Sequence, residues 1–296
     1  MTAIPASPSP APGTGMRQRR AEQELLAGTS IEMAARRRQD AARIAALLPA
    51  NTPVYINHMP STSLDDIADA AVAVREAGLE PVPHLAARRI ASASALDAAL
   101  LRLCGEAGVQ RLLILAGDCD TAAGPYADAL SLLAAPLARH GIREVGLAGY
   151  PEGHRSIASD ALERALAAKV ARAREVGLAP YVVTQFSFAL PRIVNYCAQL
   201  RARFPGLPVY VGVPGPTSPL RLLKFAQTCG VNASLRALHA QGFGAIKLVT
   251  NTDPTDQLAA VAQHLHGATS NVVGLHVYSF GGVEAAAGWI HREILS

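Results

Sequence analysis

Aromatic residues make up only 5% of this 296-residue chain and charged residues 17%, so it is poor in both stacking rings and ion pairs. That scarcity argues against nucleic acid as a partner, because such surfaces interleave basic side chains with stacking rings. The basic runs Arg17, Arg19, Arg20 and Arg36, Arg37, Arg38, which carry part of the formal net charge of +4, read as solvated helix faces. There are four cysteines, Cys104, Cys119, Cys197 and Cys229, with no C-x-x-C spacing. Neither a disulfide framework nor a zinc site is therefore expected, and a reducing cytoplasm fits. No apolar run reaches the roughly 18 residues of a membrane span, so no membrane partner is expected. The opening "MTAIPASPSPAPGTG" has neither a basic n-region nor an apolar h-region and so is not a signal peptide. Its Pro, Ala and Ser content reads as a disordered tail over residues 1–16, with the fold beginning near Arg17. Also missing are the G-x-S-x-G elbow, the G-x-G-x-x-G turn and the P-loop, which excludes the corresponding hydrolase, Rossmann and nucleotide-triphosphate readings. No H-x-H follows the first strand; His84 and His154 with Asp118 are a poor alternative, and no metal is expected.

What the chain does have is a rhythm. Short apolar or β-branched runs, "TSIEM" (29–33), "VYIN" (54–57), "PVPHLAA" (81–87), "LLILAG" (112–117), "EVGLAGYP" (144–151), "YVVTQFSF" (181–188), "VYVGVPG" (209–215) and "VVGLHVYSF" (272–280), alternate with Ala/Leu-rich stretches of helical period. Two such stretches open on Ser63 and Ser94 as expected helix caps, with Asp66 and Asp97 three residues on, and close on Gly. Strand and helix repeated eight times, with near-continuous apolar strands, predict a parallel sheet covered by helices. In this length a single-domain (β/α)8 barrel over residues 17–296 is favoured. The segment 219–271 has room for two or three helices.

In such a barrel the C-terminal ends of the strands form the active face. There the sequence places Glu32, Asn57 with His58, His84, Asp118, Tyr150 with Glu152 and His154, Thr184 with Gln185, "GVPGP" and Tyr278. Gln185 is conspicuous, because "PYVVTQFSFAL" puts an amide where apolar packing was available. Glu32 between Ile31 and Met33 has an apolar setting that raises a carboxyl pKa, and Asp118 follows the small residues of "LAG", so the two carboxylates are able to divide acid and base roles. Tyr126 in "GPYADAL" suits a ribose or phosphate. Lys169 and Arg172, three apart on one helix, suit either a diphosphate or plain solvent.

Taken in order, "PHLAARR", "LILAGD", "GPYADAL", "AGYPEGH", "TQFSF", "GVPGP" and "LLKFAQTCG" resemble the 5,10-methylenetetrahydrofolate reductase family from about Gly28 to the C-terminus. The resemblance implies a barrel holding FAD, reduced by NAD(P)H, which leaves and is replaced at the same face by the folate. Glu32 matches the proposed general acid, which protonates N10 so that the imidazolidine ring opens to an iminium at N5. Asp118 matches the aspartate of the "GD" motif, an anion that favours this cation. Gln185 matches a glutamine whose amide serves nicotinamide and pterin in turn. Asn57, His84, Ala116, Gly117, Asp118, Tyr126, Ala148, Tyr150, His154, Lys169 and Arg172 match flavin-binding positions, while Gln185, Arg221, Phe225 and Tyr278 match substrate-binding ones.

The chain also departs from the family. "SIEMAARR" lacks the usual aromatics and prolines after the glutamate, and a second alignment puts Asn57 in the acid's place. Ala116 replaces an arginine before "GD", and Gly281 and Gly282 stand near where another is expected, so the folate tail must be held differently. Two alternatives stay open: a flavin barrel acting on another one-carbon carrier or an imine, and a barrel without turnover. NADH or NADPH preference and a homo-oligomeric state are not fixed by sequence.

Overall fold

A computed structural model describes residues 14–229, 231, 254–265, 267 and 270–296. Eight strands, β1 (Ser30–Ala34), β2 (Pro53–Asn57), β3 (Glu80–Ala86), β4 (Arg111–Leu115), β5 (Glu144–Gly149), β6 (Ala179–Thr184), β7 (Val209–Pro214) and β8 (Val272–Tyr278), pair in parallel and in sequence order, and β1 closes on β8. The expected (β/α)8 barrel is therefore the fold, and "TSIEM" is its first strand.

Helix α1 (Thr14–Ala27) precedes the barrel and starts inside the expected 1–16 tail; residues 1–13 of that tail lie outside the described residues. Between the strands run α2 (Asp40–Ala45), α3 (Leu64–Glu76), α4 (Ala93–Gly105), α5 (Ala129–Leu132), α6 (Ser159–Glu175), α7 (Leu190–Arg203), α8 (Pro219–Cys229) and α9 (Thr255–Leu265), and α10 (Val283–Leu295) ends the chain. Residues 232–253, within the segment read as two or three helices, lie outside the described residues.

Ser63 caps α3 in a reciprocal pair with Asp66, as its spacing predicts. The cap of α4 is Ser92, whose hydroxyl accepts from the Ala95 N–H at 3.0 Å. This corrects the expectation for Ser94, which lies inside the helix; Asp97 instead meets His140 at 2.7 Å.

The apolar strands sort their side chains by alternation. Ile31, Met33, Val54, Ile56, Leu112, Ile114, Val145 and Leu147 join the large core between sheet and helices. Their sequence neighbours Tyr55, Val82, Leu113, Tyr181 and Val183 form a separate cluster inside the barrel. Gly146 makes that interior possible, because a Cβ there would lie 2.8 Å from the Tyr181 ring.

Candidate functional site

Register decides which side chains share the mouth. Glu32 pairs with Tyr55 and Ala34 with Asn57, so Glu32 and Asn57 point inward with Tyr55. On the far side of β1, Ser30 pairs with His276 and its hydroxyl lies 2.9 Å from His276 Nδ1. The His276 ring packs edge-on against Tyr55 at 4.6 Å and against Tyr278 at 4.7 Å. His84, also inward, brings its Nδ1 within 4.0 Å of Glu32 Oε1. Glu32 thus stands on β1 and Asn57 beside it on β2, and the two do not share one place.

This chamber is dry enough to change protonation. Burial alone raises the Glu32 carboxyl to about 7, so it keeps its proton near neutrality. Burial holds His84 down at about 3, with a smaller contribution from His58, and His276 at about 3, with a smaller contribution from His84. Both imidazoles are neutral wherever the protein is folded at ordinary pH. His84 Nε2, His276 Nε2 and Asn57 Oδ1 are buried and have no hydrogen-bond partner among the described residues. Native structures rarely leave such atoms unmet, so these point to water or a ligand.

The β4 end presents Asp118 differently. Gly117, at φ +93°, turns the chain in a conformation that favours glycine and lifts the next residue outward. Asp118 is 76% exposed and ion-paired with Arg89. Its burial pushes the carboxyl up, but the Arg89 hydrogen bond, a backbone N–H and the guanidinium charge outweigh that and hold it below its usual value. Arg88 laces the same loop down, donating to the carbonyls of Cys119 at 3.0 Å and Ala127 at 2.7 Å. Its backbone N–H donates to the Ala116 carbonyl.

Sequence reasoning quoted "AARR" yet gave neither arginine a role. The one hint was indirect: with Ala116 in place of an arginine, Asp118 lacks the neighbouring cation that the family resemblance would supply. His276 was missed as well, although it lies two residues before Tyr278 and so faces the same way.

On β5, Ala148 faces inward beside Val183 of β6. Beyond it Tyr150 and His154 meet edge-on at 5.3 Å. Burial raises the Tyr150 hydroxyl and lowers the His154 ring, whose Nδ1 accepts from Ser156. Tyr126 is buried in the outer core. Lys169 is half-buried on α6, and burial lowers its ammonium against the pull of Asp128. Arg172 pairs with Glu175 at 3.0 Å. The face that carries Lys169 is thus not simply solvated.

Gln185 follows β6, and its amide oxygen accepts from the Phe186 N–H at 3.1 Å. The NH2 end and the second lone pair of that oxygen remain without a partner among the described residues. The Tyr278 hydroxyl donates to the Thr184 carbonyl at 3.0 Å. Phe225 stacks on Phe280 at 4.2 Å, within an aromatic cluster that includes Phe186, Phe188 and Tyr278. Arg221 is exposed on α8. No group of three metal-ligating side chains occurs among the described residues, nor any helix long and apolar enough to cross a membrane.

Compared with known proteins, the sequence matches the family described as methylenetetrahydrofolate reductase over residues 36–280. Glu32 lies just before that span. Among solved structures the chain is similar to dihydropteroate synthase (FolP) from Thermus thermophilus, at 18% identity and TM-score 0.45, covering 90% of this chain and 91% of that one. A complex of dihydropteroate synthase from the same organism with 6HMPPP gives 17% identity and TM-score 0.44, covering 89% and 92%. A TM-score below 0.5 leaves this likeness without weight for function.

Proposed function

Because this chain belongs to the methylenetetrahydrofolate reductase family, we propose that it reduces 5,10-methylenetetrahydrofolate to 5-methyltetrahydrofolate with NAD(P)H through a bound FAD, the two substrates alternating at the barrel mouth. The residues at the mouth fit such a cofactor. Asn57 Oδ1 and His84 Nε2 are buried polar atoms without protein partners among the described residues, suited to a flat ring with polar edges. In this reading Ala116, Gly117 and Ala148, small residues at or just past the ends of β4 and β5, would lie against that ring, and Tyr126, Tyr150, His154, Lys169 and Arg172 would hold the rest of the dinucleotide. FAD, when bound, supplies the two-electron transfer.

The protein's own contribution is acid and charge. Glu32, neutral up to about pH 7, is a proton donor for the folate N10. Its neighbour His84, lowered to about 3 by burial, is too weak a base to draw that proton away. Asp118, held ionised by Arg89 at the exposed rim, offers a fixed anion to the iminium that ring opening creates. The Gln185 NH2 is a donor for a carbonyl on either visiting ring.

The observation that carries this reading is Glu32, a carboxyl only 18% exposed that shares the barrel interior with the unmet atoms of Asn57 and His84. Its test separates two half-reactions in stopped flow. Glu32→Gln is expected to leave bleaching of the flavin by NADH within about twofold, while slowing its reoxidation by methylenetetrahydrofolate by about 10²-fold or more. Equal losses in the two would remove the acid role.

A further inference from the structure

Beside the mouth, between the loops that follow β2, β3 and β4, lies a cleft of about 330 Å3 lined by His58, Thr62, Arg88, Arg89, Cys119 and Thr121, among others. We propose that it is a subsite for an oxyanion, a carboxylate or phosphate group carried by a small molecule bound at the barrel mouth.

Three donors converge there. Arg89 has a side chain only 13% exposed, yet a single ionic partner among the described residues, Asp118, through one terminal nitrogen. A guanidinium has five N–H donors and cannot lose its charge, so Arg89 keeps donors to offer a further acceptor. Arg88 spends Nε and one terminal nitrogen on loop carbonyls, which fixes its plane and leaves the other terminal nitrogen without a described partner. His58 accepts the Ala86 N–H at Nδ1, 3.2 Å away, so its proton sits on Nε2 and that atom donates.

Burial, then the Arg89 charge, holds His58 at about 4, so it is a neutral donor at working pH. Two guanidiniums line the cleft, and Asp118 is paired with one of them. Among the described residues no carboxylate lines the cleft, and Thr62 and Thr121 add hydroxyls. Planar forks beside a neutral N–H suit a planar carboxylate or a phosphate face.

Which molecule carries the group rests on the reductase reading: it is either the glutamyl carboxylate of the folate or the 2′-phosphate of NADPH. The oxyanion site itself does not depend on that reading, so the test starts with binding alone. Inorganic phosphate is titrated calorimetrically into the purified full-length protein.

Arg89→Gln is expected to raise the phosphate dissociation constant at least about tenfold, and Arg89→Lys to recover part of the loss. Thr121→Asp, which puts a carboxylate at the exposed lip without touching Arg89, is expected to weaken binding similarly. Arg203→Gln, the loss of an exposed charge on α7, is expected to leave it unchanged. Phosphate binding that stays intact in folded Arg89→Gln and in Thr121→Asp overturns the proposal.

Two further arms identify the carrier. If the preference for folate over pteroate collapses in Arg89→Gln, the group is the glutamyl carboxylate. If the preference for NADPH over NADH collapses, it is the nucleotide phosphate. Turnover enters none of these measurements, so a failed reductase assay leaves them readable, and the reverse holds too.

Discussion

A carboxyl group desolvated as Glu32's is, beside the neutral imidazole of His84, costs stability once it ionises. The unfolded Glu32 titrates near 4.5 and the folded one near 7, so between those values the native state holds the extra proton and stability falls as pH rises. Above pH 7 the full cost is present; below 4.5 it is absent. Glu32→Gln removes it. Denaturant melts should therefore find the variant more stable than the parent at about pH 8, by an amount on the order of 3 kcal/mol at most, with the difference vanishing near about pH 4. His84 and His276 also lose stability in acid, but they do so in both proteins and cancel in the difference. A constant difference across that range would show that Glu32 is hydrated. At this scale the sequence was legible in the place Glu32 takes at the end of its strand but not in its surroundings: Ile31 and Met33 point outward into the helix-side core, and Glu32 faces inward with Tyr55 and His84 of neighbouring strands. Nor was it legible where the partner came from another loop, because nothing in "AARR" says that Arg89 reaches Asp118 across β3 and β4.

Elements are specified by short-range chemistry, and their boundaries show how finely. All eight strands were legible because branched apolar runs between Gly- and Pro-containing turns leave few other choices. From β3 onward the expected ends ran long, to Phe280 rather than the observed Tyr278 in β8 for example, because the apolar and aromatic run continues past the last ladder residue into the cluster around Phe186. Start signals for α4 were ambiguous, since "SASA" offers two serines. Only Ser92 has the extended backbone a cap requires, at φ −158° and ψ 164°. Thermal melts should separate the two: Ser92→Ala is expected to cost about 1 kcal/mol, and Ser94→Ala, within the helix and touching only the Ser92 hydroxyl, no more than a few tenths. Equal costs would mean that the helix begins at Ser94 in solution.

For the molecule as a whole, the two ends of the barrel have different tasks. The larger cavity, about 490 Å3, opens at the floor among Glu144, Arg174, Pro180 and Pro208, away from Glu32 and the other groups of the mouth. Size therefore does not locate the chemistry; the unmet polar atoms at the opposite end do. Arg111 closes the floor. It lies 3.1 Å from Glu144 and 3.7 Å from Glu80, and its guanidinium carbon sits 5.5 Å from the Tyr181 ring centre. Tyr181 in turn accepts a hydrogen bond from the Tyr55 hydroxyl, so the floor is tied to the layer that Glu32 and His84 stand on. Burial raises the Glu80 carboxyl against the opposing pull of Arg111. Arg111→Leu strips that pull away and leaves a half-buried carboxylate, a loss expected to be on the order of 1–2 kcal/mol at about pH 8. Glu80 escapes the penalty by taking up a proton, so part of the loss should return as the pH falls toward about 5. Phosphate binding and flavin bleaching at room temperature, which depend on the mouth alone, should survive in the folded variant. If both fell in step with stability at every pH, floor and mouth would have to be one cooperative unit, and the Tyr55–Tyr181 hydrogen bond is the contact through which that coupling would run.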